Sequence, residues 1–137
     1  MHDDIILNKT AIIDRCIKRI KDEYAENEDN LYNDFTRQDS IILNLQRICE
    51  ACIDLAMHIT GLKKLGLPQV SKESFDLLEN AKIINKNLAV ELKKMVGFRN
   101  IAVHDYRELD LDIVKHIIES KLDIFYAFLK AVNNLII

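Results

Sequence analysis

A chain of 137 residues, 49% of them hydrophobic, is sized for one domain with a substantial core, and residues 1–137 are expected to form a single one. Three Gly and one Pro supply too little turn-forming material for an all-β fold, so composition favours helix. A formal net charge of −3 argues against a protein that coats nucleic acid indiscriminately. With no run of about eighteen apolar residues and no basic stretch at Met1-His2-Asp3-Asp4, the chain is expected to be soluble and cytoplasmic, with no membrane association.

Apolar residues at Ile5, Ile12, Ile13, Cys16, Ile17, Ile20 and Tyr24 fall at helical spacing and predict a first amphipathic helix. Residues 27–35 are polar and acidic and read as a turn or a frayed end. Ile41, Leu45, Ile48, Cys52, Leu55 and Ile59 keep i, i+3/i+4 spacing through a long second helix, which Gly61 and Gly66 weaken and Pro68 closes. Ser71 is the expected N-cap of a short third helix reaching about Ala81, with Glu73 favourable in its first turn. A fourth helix is predicted over residues 86–103. The last begins at Asp110 or Asp112 and carries Ile113, Ile117, Leu122, Phe125, Phe128, Leu129 and Val132. Short connections between long helices favour antiparallel neighbours, hence an all-α, up-and-down bundle of four to five helices. The last helix is apolar over more than one narrow stripe. Surplus of that kind often marks an oligomer contact, and a symmetric homodimer is the expected form.

Cys49 and Cys52 lie at i and i+3 within an uninterrupted apolar helix pattern, and no second Cys or His pair stands at zinc-finger spacing. They read as small core residues, as does Cys16, and no metal site or cofactor is expected. Charge is unevenly distributed. Residues 22–36 hold six acids and no base, which reads as a solvated face. Residues 82–107 hold six bases (Lys82, Lys86, Lys93, Lys94, Arg99, Arg107) against Glu91 and Asp105, so this segment is locally basic. His58 and His116 are isolated on helices, Glu119 beside His116 reads as a surface pair, and His2 belongs to the terminus. None of these is expected to be a ligand.

The centre of the basic segment is the run Phe98-Arg99-Asn100-Ile101-Ala102-Val103-His104-Asp105-Tyr106. A bland reading puts Arg99 and Asn100 on a solvated helix face and His104 at the helix end, and an arbitrary Arg-x4-His pair usually deserves it. Arg and His are also a sufficient toolkit for phosphodiester chemistry without metal. A guanidinium holds a phosphate through a planar fork of donors, and an imidazole can move a proton near neutral pH. Arg-Asn, a small apolar trio and then His-Asp-Tyr resembles the Arg-x4-His-x-Tyr signature of the HEPN family. The chain is most similar to HepT-type toxins that pair with a minimal nucleotidyltransferase antitoxin. The similarity takes in residues 74–89 and 92–98 before the motif and the helical stretch from about Asp110 after it. It spans nearly the whole chain, strongest over residues 70–120 and weaker before residue 35.

That resemblance implies a homodimer built around the motif, an RNA substrate and a nucleotidyltransferase partner. The implied reaction is metal-independent endoribonuclease cleavage by internal 2′-oxygen attack, with Arg99 and His104 of two chains sharing one cleft. A two-fold dimer supplies the second imidazole that an acid–base pair needs. The resemblance also implies that the partner attaches AMP to Tyr106, whereas the residues alone read Tyr106 as a packed aromatic. At 100° per residue Arg99 and His104 lie about 140° apart on a straight helix, so the helix is expected to end or tighten near Val103 and let His104 swing toward Arg99. Asn100, at i to His104 at i+4, is the expected support that fixes the imidazole tautomer. Two other readings compete: a non-catalytic HEPN-like module that binds nucleotide or RNA or accompanies a nucleotidyltransferase, and a plain helical interaction protein. A binding module would need Arg99 but not His104, which favours the nuclease; the pI near 5.8 pulls modestly the other way.

Overall fold

Each helix in the computed structural model, which describes residues 3–135, starts where a polar side chain or a backbone turn can satisfy its first N–H groups. Among the described residues there are seven: α1 (Asp4–Tyr24), α2 (Asp29–Tyr32), α3 (Phe35–Leu62), α4 (Ser71–Asn80), α5 (Lys86–His104), α6 (Leu111–Ser120) and α7 (Leu122–Asn133). A 3₁₀ turn, Tyr106–Glu108, joins α5 to α6. Asp3, Asp34, Asn85 and Asp110 cap α1, α3, α5 and α6 through their side-chain oxygens.

α3 is the central element, packed against α1, α2, α4, α5 and α7. Asp3 at the start of α1 meets His58 near the end of α3, and Arg37 at the start of α3 donates to the Glu23 carbonyl near the end of α1, so the two run antiparallel. The same logic sets α5 antiparallel to α3: Arg99 reaches back to Glu50, while Tyr106, further on, reaches Asp39. Ile13, Ile17, Ile20, Leu31, Ile41, Leu45, Ile48, Leu55, Phe75, Phe125 and Phe128 form the fully buried centre of one continuous core, with Phe75 and Phe128 edge to face.

The all-α bundle agrees with the sequence expectation, and three local differences have physical reasons. The acidic segment expected to be a turn contains α2, because Leu31 is fully buried and Asn30 and Gln38 tie the segment to the carbonyls of Tyr24 and Leu31. Pro68 does not close α3. The helix ends at Leu62 in a Schellman turn, with Lys64 left-handed at φ 54° and the Leu65 N–H on the Thr60 carbonyl. Ser71 is the first residue of α4 and not its cap, a place held by Val70 without a side-chain bond.

The predicted last helix breaks at Lys121 into α6 and α7. Ile117 and Ile118 before the break, and Leu122, Ile124 and Phe125 after it, are all buried. On one straight helix these five would spread over about 160° of the surface, and the break lets the two halves present narrower stripes to the core. Much of the apolar surplus read as an oligomer contact is therefore consumed within the chain. What stays outside is Tyr126 on α7, 42% exposed, and Ile113 on α6, 54% exposed, which lines a groove with Ile101 on α5, 45% exposed. No helix among the described residues is long and apolar enough to cross a membrane.

Candidate functional site

α5 carries the site on the edge of its buried stripe. Ala89, Leu92 and Val96 face the core at i, i+3 and i+7, and Arg99 continues that row at i+10. The guanidinium therefore comes off the core-facing side onto α3 while its stem stays largely covered. Nη2 donates to the Glu50 carboxylate at 3.4 Å, and Nη1 to the Asn100 side-chain oxygen at 3.1 Å. Glu50 in turn accepts from Gln46 at 3.3 Å. Both members of the Arg99–Glu50 pair are about a third exposed, so its contribution to stability is small and its effect is to fix where the fork points. The buried Nε of Arg99 has no hydrogen-bond partner among the described residues.

His104 is the last residue of α5, exposed and without a hydrogen bond or ion pair among the described residues. The helix ends here, one residue past the expected position, and a 3₁₀ turn follows, but it does not tighten before His104. α-helical geometry holds through His104, so within one chain Arg99 and His104 remain about 140° apart around the axis. Nor does Asn100 hold the imidazole: its oxygen accepts from Arg99, its immediate neighbour. Asp105 is exposed, caps the helix through its backbone N–H on the Ile101 carbonyl and makes no ion pair with His104.

Tyr106 opens the 3₁₀ turn and is 43% exposed. Its phenol donates to Asp39 Oδ1 on α3 at 2.7 Å. Partial burial, then the Asp39 hydrogen bond and charge, push the phenol up to about 12, so at neutral pH it keeps its proton. Asp39 and Glu50 are the site residues that sequence reasoning missed. Both sit on the polar side of an amphipathic helix, where a carboxylate is ordinary, and only the antiparallel docking of α5 gives them partners.

The bases around the motif are only partly matched, two of them from elsewhere in the fold and one within the segment. Lys93 pairs with Asp76 at 2.7 Å, Lys94 with Glu91 at 3.5 Å and Arg99 with Glu50. Lys82, Lys86 and Arg107, together with exposed Arg47 one turn from Glu50, make no ion pair among the described residues. An apolar groove opens beside the motif between α5 and α6, lined by Met95, Phe98, Ile101, Leu109, Ile113 and Ile117. Gly97 lies on its rim, and a Cβ added there would touch nothing within 4 Å of the same chain.

The other candidate groups have structural roles or none. Cys16, Cys49 and Cys52 are buried, and burial pushes the Cys49 thiol up to about 12, so none offers a thiolate. No cluster of three or more His, Cys, Asp or Glu side chains among the described residues could hold a metal ion. Glu119 does not pair with His116 but accepts from Tyr24 on α1. His2 lies outside the described residues. His58 bonds Asp3 Oδ2 at 2.6 Å, while Asp3 Oδ1 caps α1. That bond, with the cap N–H groups, holds the Asp3 carboxyl below its ordinary value of 3.8. A lowered carboxyl adds stability above the unfolded pKa and loses it as pH falls through the folded one. Wild type should therefore unfold at higher temperature than Asp3→Asn at neutral pH, and circular dichroism melts should converge in strong acid. A constant gap down to about pH 2 would mean the carboxylate is not the source.

The family model described as "Ribonuclease HepT-like" matches residues 13–132. An mRNA nuclease HepT from Shewanella oneidensis is 54% identical over 131 residues, covering 96% of this chain and 98% of that protein. A tRNA nuclease HepT from Aphanizomenon flos-aquae is 27% identical over 133 residues, covering 97% of this chain and 90% of that protein. Among solved structures, the tri-AMPylated Shewanella oneidensis HEPN toxin in complex with MNT antitoxin superposes with a TM-score of 0.92. It is 53% identical, with 97% of this chain and 99% of that one covered.

Proposed function

This chain belongs to the HepT-like ribonuclease family, and we propose that it is the toxin of a toxin–antitoxin pair: an endoribonuclease that works as a homodimer and is neutralised by a nucleotidyltransferase. The observation that carries the reading is the contrast at the end of α5. Arg99 is held in place by Glu50 and Asn100, His104 is exposed with nothing bonded to it among the described residues, and the helix keeps them apart within one chain. A second copy across the groove of Ile101 and Ile113 would bring two guanidinium and two imidazole groups to one cleft, and the open side of Gly97 leaves room for close approach.

In that cleft one His104 takes the proton of the RNA 2′-hydroxyl as its oxygen attacks the adjacent phosphorus. The bond from phosphorus to the 5′-oxygen breaks, and the other His104 gives the leaving oxygen a proton. The products are a 2′,3′-cyclic phosphate and a 5′-hydroxyl. The Arg99 groups hold the phosphate and offset the charge that grows on its oxygens, and no step requires a metal. Arg47 and Arg107 stand free to meet neighbouring phosphates of the strand.

Neutralisation acts on Tyr106. AMP attached to its exposed phenol adds bulk and a phosphodiester charge two residues from His104, closing the cleft to RNA by sterics and repulsion. Expression in a bacterial host tests the whole reading. The chain alone should arrest growth, the His104→Ala chain should not, and co-expression with the cognate nucleotidyltransferase should restore growth. Arrest that persists in His104→Ala would remove the nuclease assignment.

A further inference from the structure

The turn that bears Tyr106 is tied to the rest of the fold by one side-chain hydrogen bond. Between the end of α5 and Asp110, the side chains of His104, Asp105, Arg107 and Glu108 make no hydrogen bond or ion pair among the described residues; only the Tyr106 phenol does, on Asp39 at 2.7 Å. Asp39 stands on the exposed side of α3, 67 residues earlier in sequence. A phenol open to solvent needs no such partner, and a carboxylate there raises the energy of the phenolate. The pairing is therefore unfavourable for spontaneous ionisation of Tyr106 and well placed for one other event, removal of the proton during bond formation.

We propose that Asp39 is this chain's own proton acceptor for nucleotidylation of Tyr106, an inference that rests on the reading of Tyr106 as the modified residue. With ATP bound to the partner enzyme, the phenol oxygen attacks the α-phosphorus while its proton passes to Asp39 Oδ1 along the existing hydrogen bond. The new bond joins the tyrosine oxygen to the α-phosphorus. The bond from that phosphorus to the bridging oxygen breaks, pyrophosphate leaves with the electron pair, and Asp39 releases the proton to water. Because the phenol sits near 12, the phenolate is scarce at neutral pH, and a base in contact with the oxygen is what makes attack feasible. The product has no proton to donate, so the tie between the turn and α3 is lost and a phosphodiester charge is set against the Asp39 carboxylate. Modification thereby loosens the segment that presents His104 as well as crowding it.

The test uses the full chain, its cognate nucleotidyltransferase and ATP labelled at the α-phosphate, with the modified residue identified by peptide mass spectrometry. Wild type, Asp39→Asn, Asp39→Glu and Tyr106→Phe are compared from about pH 6 to 9, each first shown to form the complex by gel filtration. Asp39→Asn should be modified ~10²-fold more slowly at neutral pH, and its rate relative to wild type should climb with pH as the phenol ionises unaided. Asp39→Glu should keep most of the rate. Modification of Tyr106 in Asp39→Asn at the wild-type rate and pH profile overturns the inference and leaves the Tyr106 reading intact. So does a slow rate without the climb, which would make Asp39 a structural anchor only. Equal labelling of Tyr106→Phe overturns the Tyr106 reading itself, and Asp39 with it.

Discussion

His104→Ala is expected to slow RNA cleavage by ~10²–10⁴-fold, the range for losing a positioned acid or base, while leaving the fold unchanged. The side chain is exposed, makes no bond among the described residues and sits on the last helical residue, so its removal creates no cavity and orphans none of them. Arg99→Lys should cost ~10²-fold for a different reason. An ammonium keeps the charge but gathers its donors on one nitrogen, so it cannot reproduce the planar fork that spans Glu50, Asn100 and a phosphate. The reaction needs the ribose hydroxyl, so DNA and 2′-O-methyl RNA should remain intact at enzyme concentrations that degrade the unmodified strand. Single-turnover assays on a labelled RNA, with melting curves of each variant, separate chemistry from folding. Wild-type cleavage by both variants would leave the motif without a catalytic role.

How far the sequence revealed this site depends on the range of the interactions that build it. Local signals were readable. The i, i+3/i+4 apolar rows gave α1 and α3, the helix expected over residues 86–103 is α5, and Asp110, an expected start, caps α6 because capping is decided within a few residues. Arg99, His104 and Tyr106 stood out by their chemistry and spacing. Interactions across the fold were not readable. Glu50 and Asp39 meet their partners from 49 and 67 residues away, and nothing in their own surroundings distinguishes them from solvated helix residues. Geometry within α5 went wrong for a related reason. The helix end was expected near Val103 and lies at His104, but the expected swing of His104 toward Arg99 does not occur. Ala102, buried among the helices, and the Asp105 N–H on the Ile101 carbonyl instead carry regular helix through His104. The break at Lys121 likewise follows from where the core lies, which no helical period encodes.

Ile101→Asp combined with Ile113→Asp is expected to abolish RNA cleavage as thoroughly as loss of His104, without touching Arg99 or His104. The two isoleucines are among the largest apolar groups left exposed beside the motif, and they line the same groove. Burying an Ile is worth roughly 1.5–3 kcal/mol, and two-fold symmetry counts each contact twice, so a carboxylate at both positions should convert dimer to monomer in sedimentation equilibrium. Their exposure in the single chain means the monomer itself should still fold. Gly97→Ala separates the two effects more gently. Ala is favoured over Gly by about 0.8–1 kcal/mol inside a helix and meets no atom of its own chain here, so the monomer gains stability while a closely packed dimer would weaken. A mixing experiment then asks whether the chains share their chemistry. Equal amounts of wild type and His104→Ala, allowed to exchange subunits, should retain about a quarter of the activity if each cleft needs two imidazoles, and about half if each chain works alone. A double-aspartate protein that stays dimeric and active, or a mixture that holds at half, would return both halves of the reaction to a single chain, where α5 keeps them on different sides of one helix.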